Sequence, residues 1–332
     1  MKFILAIIAA IVVGAPATAG VGREPYPSTF NAALELIHAY SGAGSELERA
    51  QKMIDKLAQS RPLSGYAEAL TAEMLSTWKL DTDGPQGAIR LRVLALADKA
   101  LRRDSKLTLA YVARARAQLR ASRLVEAQTD IDAALALDPG SDGATFLRAE
   151  LLSRRGQYEE ASGWFEKFID LVPSNARKSN GHLALGRMYV DQLHRERPDD
   201  ESALIAKARA NYQRGVDLDP QGAWKNVNLA IFLNNYAEDF VAAERYALNA
   251  LAIMNFPMAR MQLAMARYQQ LFGREKFGDV EGFTLANTTP QALKLRVSDV
   301  ENSTGVSLQD AAEFEPRTRV GHRLASMLEF VR

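Results

Sequence analysis

The sequence predicts an all-α protein, a solenoid of stacked antiparallel helix pairs closed by a C-terminal tail. Three observations predict it. Two stretches, "SRLVEAQTDIDAALALDP" and "GQYEEASGWFEKFIDLVP", end in Pro139 and Pro173, 34 residues apart, and place small, then large apolar residues at matching offsets. Each is preceded by another apolar-periodic stretch of helical length. The chain is 47% hydrophobic and 24% charged over 332 residues, which argues against bulk disorder and leaves room for one elongated array.

Counting back from Pro173 gives Phe165, Ala161, Tyr158 and Gly156; the same steps from Pro139 give Ile131, Ala127, Leu124 and Ser122. A small residue three or four positions from a bulky one lets a neighbouring helix approach closely. The proline cannot continue a helix and marks the link to the next. Further copies carry Ala50, Ile54, Leu57 and Pro62, then Ala208, Tyr212, Gly215 and Pro220. A copy with Ala243, Ala247 and Ala250 has lost the proline, and Leu94 to Ser105 is degenerate. The preceding helices are read over Phe30–Tyr40, Tyr66–Leu80, Leu109–Ala121, Ala144–Arg155, His182–Leu193 and Trp224–Tyr236. That gives six pairs and a seventh helix, Pro257 to Phe272, whose partner is missing.

The chain resembles the tetratricopeptide repeat (TPR) family, whose 34-residue pattern is W-x2-L-G-x2-Y, then A-x3-F, then P. "HLALGRMY" supplies Leu185, Gly186 and Tyr189, and the second stretch supplies Ala161, Phe165 and Pro173. Arg114 and Arg148 depart from the pattern, standing where its leucine belongs; their stems can pack while their heads reach water. The resemblance implies a right-handed superhelix over residues 31–272, whose concave side, lined by the first helix of each pair, receives a peptide or a partner's helix. Asp81 to Gly87 and His194 to Ser202 read as insertions lengthening turns within the second and fifth units.

The ends differ in kind. Lys2, the apolar run Phe3 to Val13, and Ala17 and Ala19 at signal-peptidase spacing predict a signal peptide over residues 1–19. The run is short for a membrane span, although an uncleaved anchor is the alternative. Residues 20–30 read as a linker. There is no cysteine, which excludes disulfides, thiolate metal sites and a lipidated N-terminal cysteine. The expected product is periplasmic or secreted, without membrane insertion after cleavage. Residues 273–332 read as a tail with short helices. A glycine- and threonine-rich stretch opens it, helix starts follow at Thr289–Pro290 and at Ser307 with Asp310, and an apolar stripe runs through Val320, Leu324, Met327, Leu328 and Val331. The tail is expected to cap the C-terminal end of the superhelix.

Charge and motif searches narrow the function. With 41 basic and 40 acidic residues, the net charge of +1 gives no global attraction for nucleic acid, so no nucleic-acid partner is expected. The four histidines, His38, His182, His194 and His322, form no metal-ligand spacing, and no cofactor is expected. His38 reads as core or groove edge and His194 as solvated. Ser45 with Glu48 reads as a capping box. Glu159–Glu160 and Asp199–Asp200 read as solvated pairs, and no catalytic constellation emerges.

In the middle units Arg116, Arg120, Arg154 and Arg187 are expected to face the groove, where arginines can grip carboxylates; the bland alternative is ordinary exposed arginine. Farther along, Trp224, Val227, Ile231, Met258, Met261, Met265 and Tyr268 are expected to face inward, with Asn234 and Asn235 at the rim. Such a surface suits an adaptable apolar partner, or the tail itself. The reading is a non-catalytic scaffold or adaptor of the bacterial cell envelope that binds a protein or peptide. The alternatives are an enzymatic or enzyme-associated protein whose active part is the tail, and a homo-oligomeric structural solenoid.

Overall fold

The computed structural model describes residues 26–40, 45–78, 87–271, 290–314, 316 and 319–331. The predicted signal segment, the Asp81–Gly87 insertion up to residue 86, and the stretch opening the tail lie outside them.

Sixteen α-helices follow one another among the described residues, with no strand. They pair in chain order: α1 (Ser28–Ala39) with α2 (Glu46–Ser60), α3 (Tyr66–Trp78) with α4 (Ala88–Arg103), α5 (Thr108–Arg120) with α6 (Leu124–Leu137), and α7 (Asp142–Arg154) with α8 (Tyr158–Leu171). Next come α9 (Asn175–Glu196) with α10 (Ser202–Leu218), and α11 (Ala223–Phe232) with α12 (Phe240–Ile253). The fold is thus the all-α solenoid that the repeat pattern predicts.

The repeat positions explain the packing. Ala127, Ile131, Ala161, Phe165, Ala208, Ala243, Ala247 and Ala250 are all buried. Pro139, Pro173 and Pro220 each stand two residues beyond a second helix, where a ring without an N–H costs nothing. Gly186 lets α10 approach, since a Cβ there would meet the Tyr212 ring at 2.9 Å. Ser122 and Gly156 serve differently from close packing. Both lie at φ of 57° and 79°, in the left-handed turn between first and second helix.

Several expectations are corrected. The last residues of the supposed linker belong to the fold: α1 begins at Ser28, and Tyr26 stacks on Phe30 at 4.4 Å. Ser45 is the N-cap of α2 but makes no side-chain capping bond. The fifth-unit insertion is partly helix, because α9 runs on to Glu196 before Arg197 turns at φ 45°. His194 therefore sits in its last turn, where Nε2 lies 2.8 Å from the Tyr236 hydroxyl, rather than being merely solvated. Trp224–Tyr236 is not one helix: α11 passes at Leu233–Ala237 into a π-helical turn. The heads of Arg114 and Arg148 do not simply reach water. Arg114 grips both oxygens of buried Asp130, at 2.8 and 2.6 Å, and also Asp98 at 2.6 Å, while Arg148 pairs with Asp132 at 2.9 Å.

The seventh helix, α13 (Pro257–Leu271), also has a partner. It packs against α14 (Pro290–Thr304), and α15 (Leu308–Phe314) and α16 (Arg319–Val331) close over it. Met265, Tyr268, Leu293, Leu308, Val320, Leu324 and Met327 share one buried cluster. Polar contacts fix this layer: Tyr268 donates to the Val306 carbonyl at 2.7 Å, and Arg323 pairs with Glu238 at 3.0 Å.

At the other end the superhelix curls tightly enough for α1 to approach α9. The first helices α3, α5, α7 and α9 therefore surround a central recess, with the end of α1 at its edge.

Candidate functional site

The recess has a volume of about 280 Å³ and continues past a ridge into a second one of about 300 Å³. The ridge is Arg120, Glu150 and Arg187, which line both. The walls carry Arg116, Arg120, Arg154, Arg177 and Arg187 against Glu73, Glu150 and Asp191. Trp78, Phe146 and Phe168 supply aromatic surface.

Glu73 anchors the N-terminal wall. It is 1% exposed on α3, accepts from Arg116 Nη1 at 2.8 Å and lies 3.2 Å from His38 Nε2. Burial by itself raises its carboxyl. The Arg116 charge and the His38 and Arg116 hydrogen bonds outweigh that and hold it well below the usual carboxylate range. Arg116 also donates to Ser76 Oγ at 2.7 Å and Thr77 Oγ1 at 2.9 Å, so its head is fixed to α3 across the seam.

Arg187 is held more loosely. Arg187 Nη2 donates to Glu150 Oε1 at 2.7 Å, with the arginine side chain 55% exposed and the glutamate 14%. Arg154 Nη1 donates to the Leu119 carbonyl at 2.8 Å. Arg177 pairs with Asp142 at 2.6 Å and lies over the Phe168 ring at 5.8 Å. The aromatic floor is locked from behind: Phe146 meets Phe165 and Phe168 edge-on at 5.5 and 5.0 Å, and Trp78 Nε1 donates to the Ile37 carbonyl at 2.7 Å. Such a recess presents cationic donors beside apolar faces, a chemistry for anions that carry an aromatic or aliphatic group. Among the described residues, no group of three or more His, Asp or Glu side chains is arranged to hold a metal, and no helix is long and apolar enough to cross a membrane.

The structure thus brings Arg116, Arg120, Arg154 and Arg187 to one concave surface. It does not extend that surface to the later units. Val227, Met265 and Tyr268 are fully buried, which corrects their placement in an open groove. Val227 packs with Ala250 and Phe256, whereas Met265 and Tyr268 lie under the tail helices. Asn234 is also buried, not at a rim, and its Nδ2 donates to Gln262 Oε1 at 2.9 Å. Asn235 is half-buried in the π turn. Ile231 and Met258 pack partly buried near Phe256, and Met261 lies against the tail cluster. Trp224 alone of this set is largely open, 49% exposed and tilted on Phe256 at 4.8 Å.

Glu73, Glu150, Arg177, Trp78, Phe146 and Phe168 went unread in the sequence. Glu150 had a signal: it stands one 34-residue period after Arg116, as Arg154 does after Arg120. The others reach the recess through superhelical curl, which no local spacing records.

No family model matches the chain, and neither does any curated protein. By structure it is similar to human IFIT1 dimers with PPP-AAAA and with m7Gppp-AAAA. Their TM-scores are 0.54 and 0.58, with 16% identity in each; the alignments cover 87% and 91% of this chain and 67% and 70% of those chains. It is also similar to Pseudomonas aeruginosa PilF, with a TM-score of 0.50 and 14% identity, over 79% of this chain and 98% of that one. At such identities the likeness speaks for the fold: this is a TPR-type all-α solenoid.

Proposed function

We propose that the chain is a non-catalytic scaffold of the bacterial cell envelope that holds an acidic segment of a partner protein in its concave recess. TPR-type solenoids serve in general as protein-interaction scaffolds. The observation that carries the reading is the walled recess in which five arginines face three carboxylates above an aromatic floor. Charge-assisted bonds from arginine forks suit carboxylates, and a partly enclosed site screens them less than open surface does.

Fluorescence anisotropy with a labelled Glu/Phe-rich peptide tests it. The purified chain should bind, less tightly as salt rises, and the pair Arg120→Glu with Arg187→Glu should weaken binding by about tenfold or more. Binding indifferent to both charge reversals would overturn the reading. A second reading is an oligonucleotide bearing 5′-phosphates. Arginines beside aromatic faces suit it too, and the IFIT1 structures are those with PPP-AAAA and m7Gppp-AAAA. A labelled triphosphate oligonucleotide in the same assay separates the two.

Export rests on Lys2, the apolar run Phe3 to Val13, and Ala17 and Ala19. Mass spectrometry of a periplasmic fraction should find a mature N-terminus near Gly20; intact Met1 in a membrane pellet would overturn that location.

A further inference from the structure

We infer that Glu150 is an internal competitor for the ligand's carboxylate: it occupies the Arg187 fork in the empty recess and so sets how tightly, and how selectively, the recess takes an acidic segment. This rests on the acidic-segment reading above.

The two ion pairs of the recess differ in a way that packing alone does not require. Glu73 is sealed at 1% exposure and satisfied by Arg116 and His38 together, so Arg116 is committed to the wall. Glu150 accepts from Arg187 at 2.7 Å, and that arginine leaves 55% of its side chain open to the recess. Glu150 and Arg187 both stand on the ridge between the two recesses, with Arg120 beside them. An incoming carboxylate reaching the ridge meets the arginine face that Glu150 has partly neutralised. It must share the guanidinium with Glu150 or take its place.

Sharing is geometrically open, because a guanidinium has five donors and Glu150 takes one of them at hydrogen-bond distance. The two carboxylates then repel each other across the fork. The cost to the ligand is that repulsion, and it falls on every acidic ligand alike. A neutral ligand with the same aromatic group meets no such cost. Glu150 therefore lowers affinity for acidic ligands and narrows their advantage over neutral ones: a segment binds well where a second carboxylate or an aromatic side chain gains compensation from Arg120, Arg177 or the Phe146 and Phe168 faces. The ligand class that follows is a segment with two closely spaced acidic residues flanking an aromatic or bulky aliphatic one.

The test measures anisotropy of a fluorescein-labelled Glu-Phe-Glu-Phe-Glu peptide and of its Gln-Phe-Gln-Phe-Gln analogue against four purified chains: unaltered, Glu150→Gln, Arg187→Gln, and the double variant. The glutamine keeps a hydrogen bond to Arg187 and removes the charge, and circular dichroism confirms that each variant is folded. Glu150→Gln should tighten the acidic peptide by about fivefold and leave the neutral analogue unchanged. Arg187→Gln should weaken the acidic peptide, and the double variant should regain less than the gain Glu150→Gln gives alone, because the repulsion is removed but there is no fork left to free. If the unaltered chain binds the acidic peptide and Arg187→Gln weakens it while Glu150→Gln leaves it unchanged or weakens it, the competitor role is overturned and the recess reading stands. If no chain binds the acidic peptide, or all bind a triphosphate oligonucleotide in preference, the acidic-segment reading itself falls and takes this inference with it.

Discussion

Glu73 keeps its charge in a nearly sealed site because Arg116 and His38 answer it from two other helices. Neutralising it strands the Arg116 head, which is 16% exposed. Glu73→Gln should therefore cost about 3 kcal/mol of stability, measured by urea unfolding at pH 7. The pH dependence has a definite sign. The folded carboxyl lies below the ordinary value of 4.5, so its contribution is full above that value and is lost as pH falls below it. The melting temperature of the unaltered chain should drop on acidification below that point more steeply than that of the variant; parallel curves would contradict this. At this scale the sequence was readable where one residue type answers one backbone demand, as with the prolines after α2, α6, α8 and α10. It was misleading where one residue type answers two. Ser122 and Gly156 share a repeat position and look like close-packing residues, yet both are there for a left-handed turn. Arg114 looked like a stem with a free head, and its head is the clamp between Asp98 and Asp130.

The helices themselves were legible because each writes its own apolar period, and the pairs followed from the period's recurrence. That the tail stripe of Val320, Leu324 and Met327 covers α13 was legible too; that α14 would be the helix paired with α13 was not, since residues 272–289 separate the two in the chain and no local spacing announces the pairing. The packing has an energetic consequence. Met265 and Tyr268 are fully buried, and much of their cover comes from Leu293, Leu308, Val320, Leu324 and Met327. At roughly 1.5–3 kcal/mol per large side chain as an upper bound, the three last helices contribute several kcal/mol. A chain ending at Leu271 should melt at lower temperature and bind a hydrophobic dye, read by differential scanning fluorimetry and anilinonaphthalene sulfonate emission. Equal melting temperature with no dye binding would show that α13 holds without them. Of the two occupants the sequence offered for the late-unit face, the tail is the one found: Met265 and Tyr268 lie on one face of α13, and the tail helices cover it.

The whole molecule explains why five arginines from three successive units act on one space. Stacked first helices α5, α7 and α9 carry them, and curl turns a row into a wall. That same curl brings α1 up to α9, with His38 and Trp78 facing the recess opposite Phe168 and Asn180. In an open solenoid each unit touches only its neighbours, and loss of order starts at a terminal unit and spreads inward one step at a time. Here the first unit has a second neighbour four units away. Its loss would remove support from the fifth as well as from the second, which couples the two ends of that run of units. The N-terminal pair is then held from two sides, by α3 along the stack and by α9 across it.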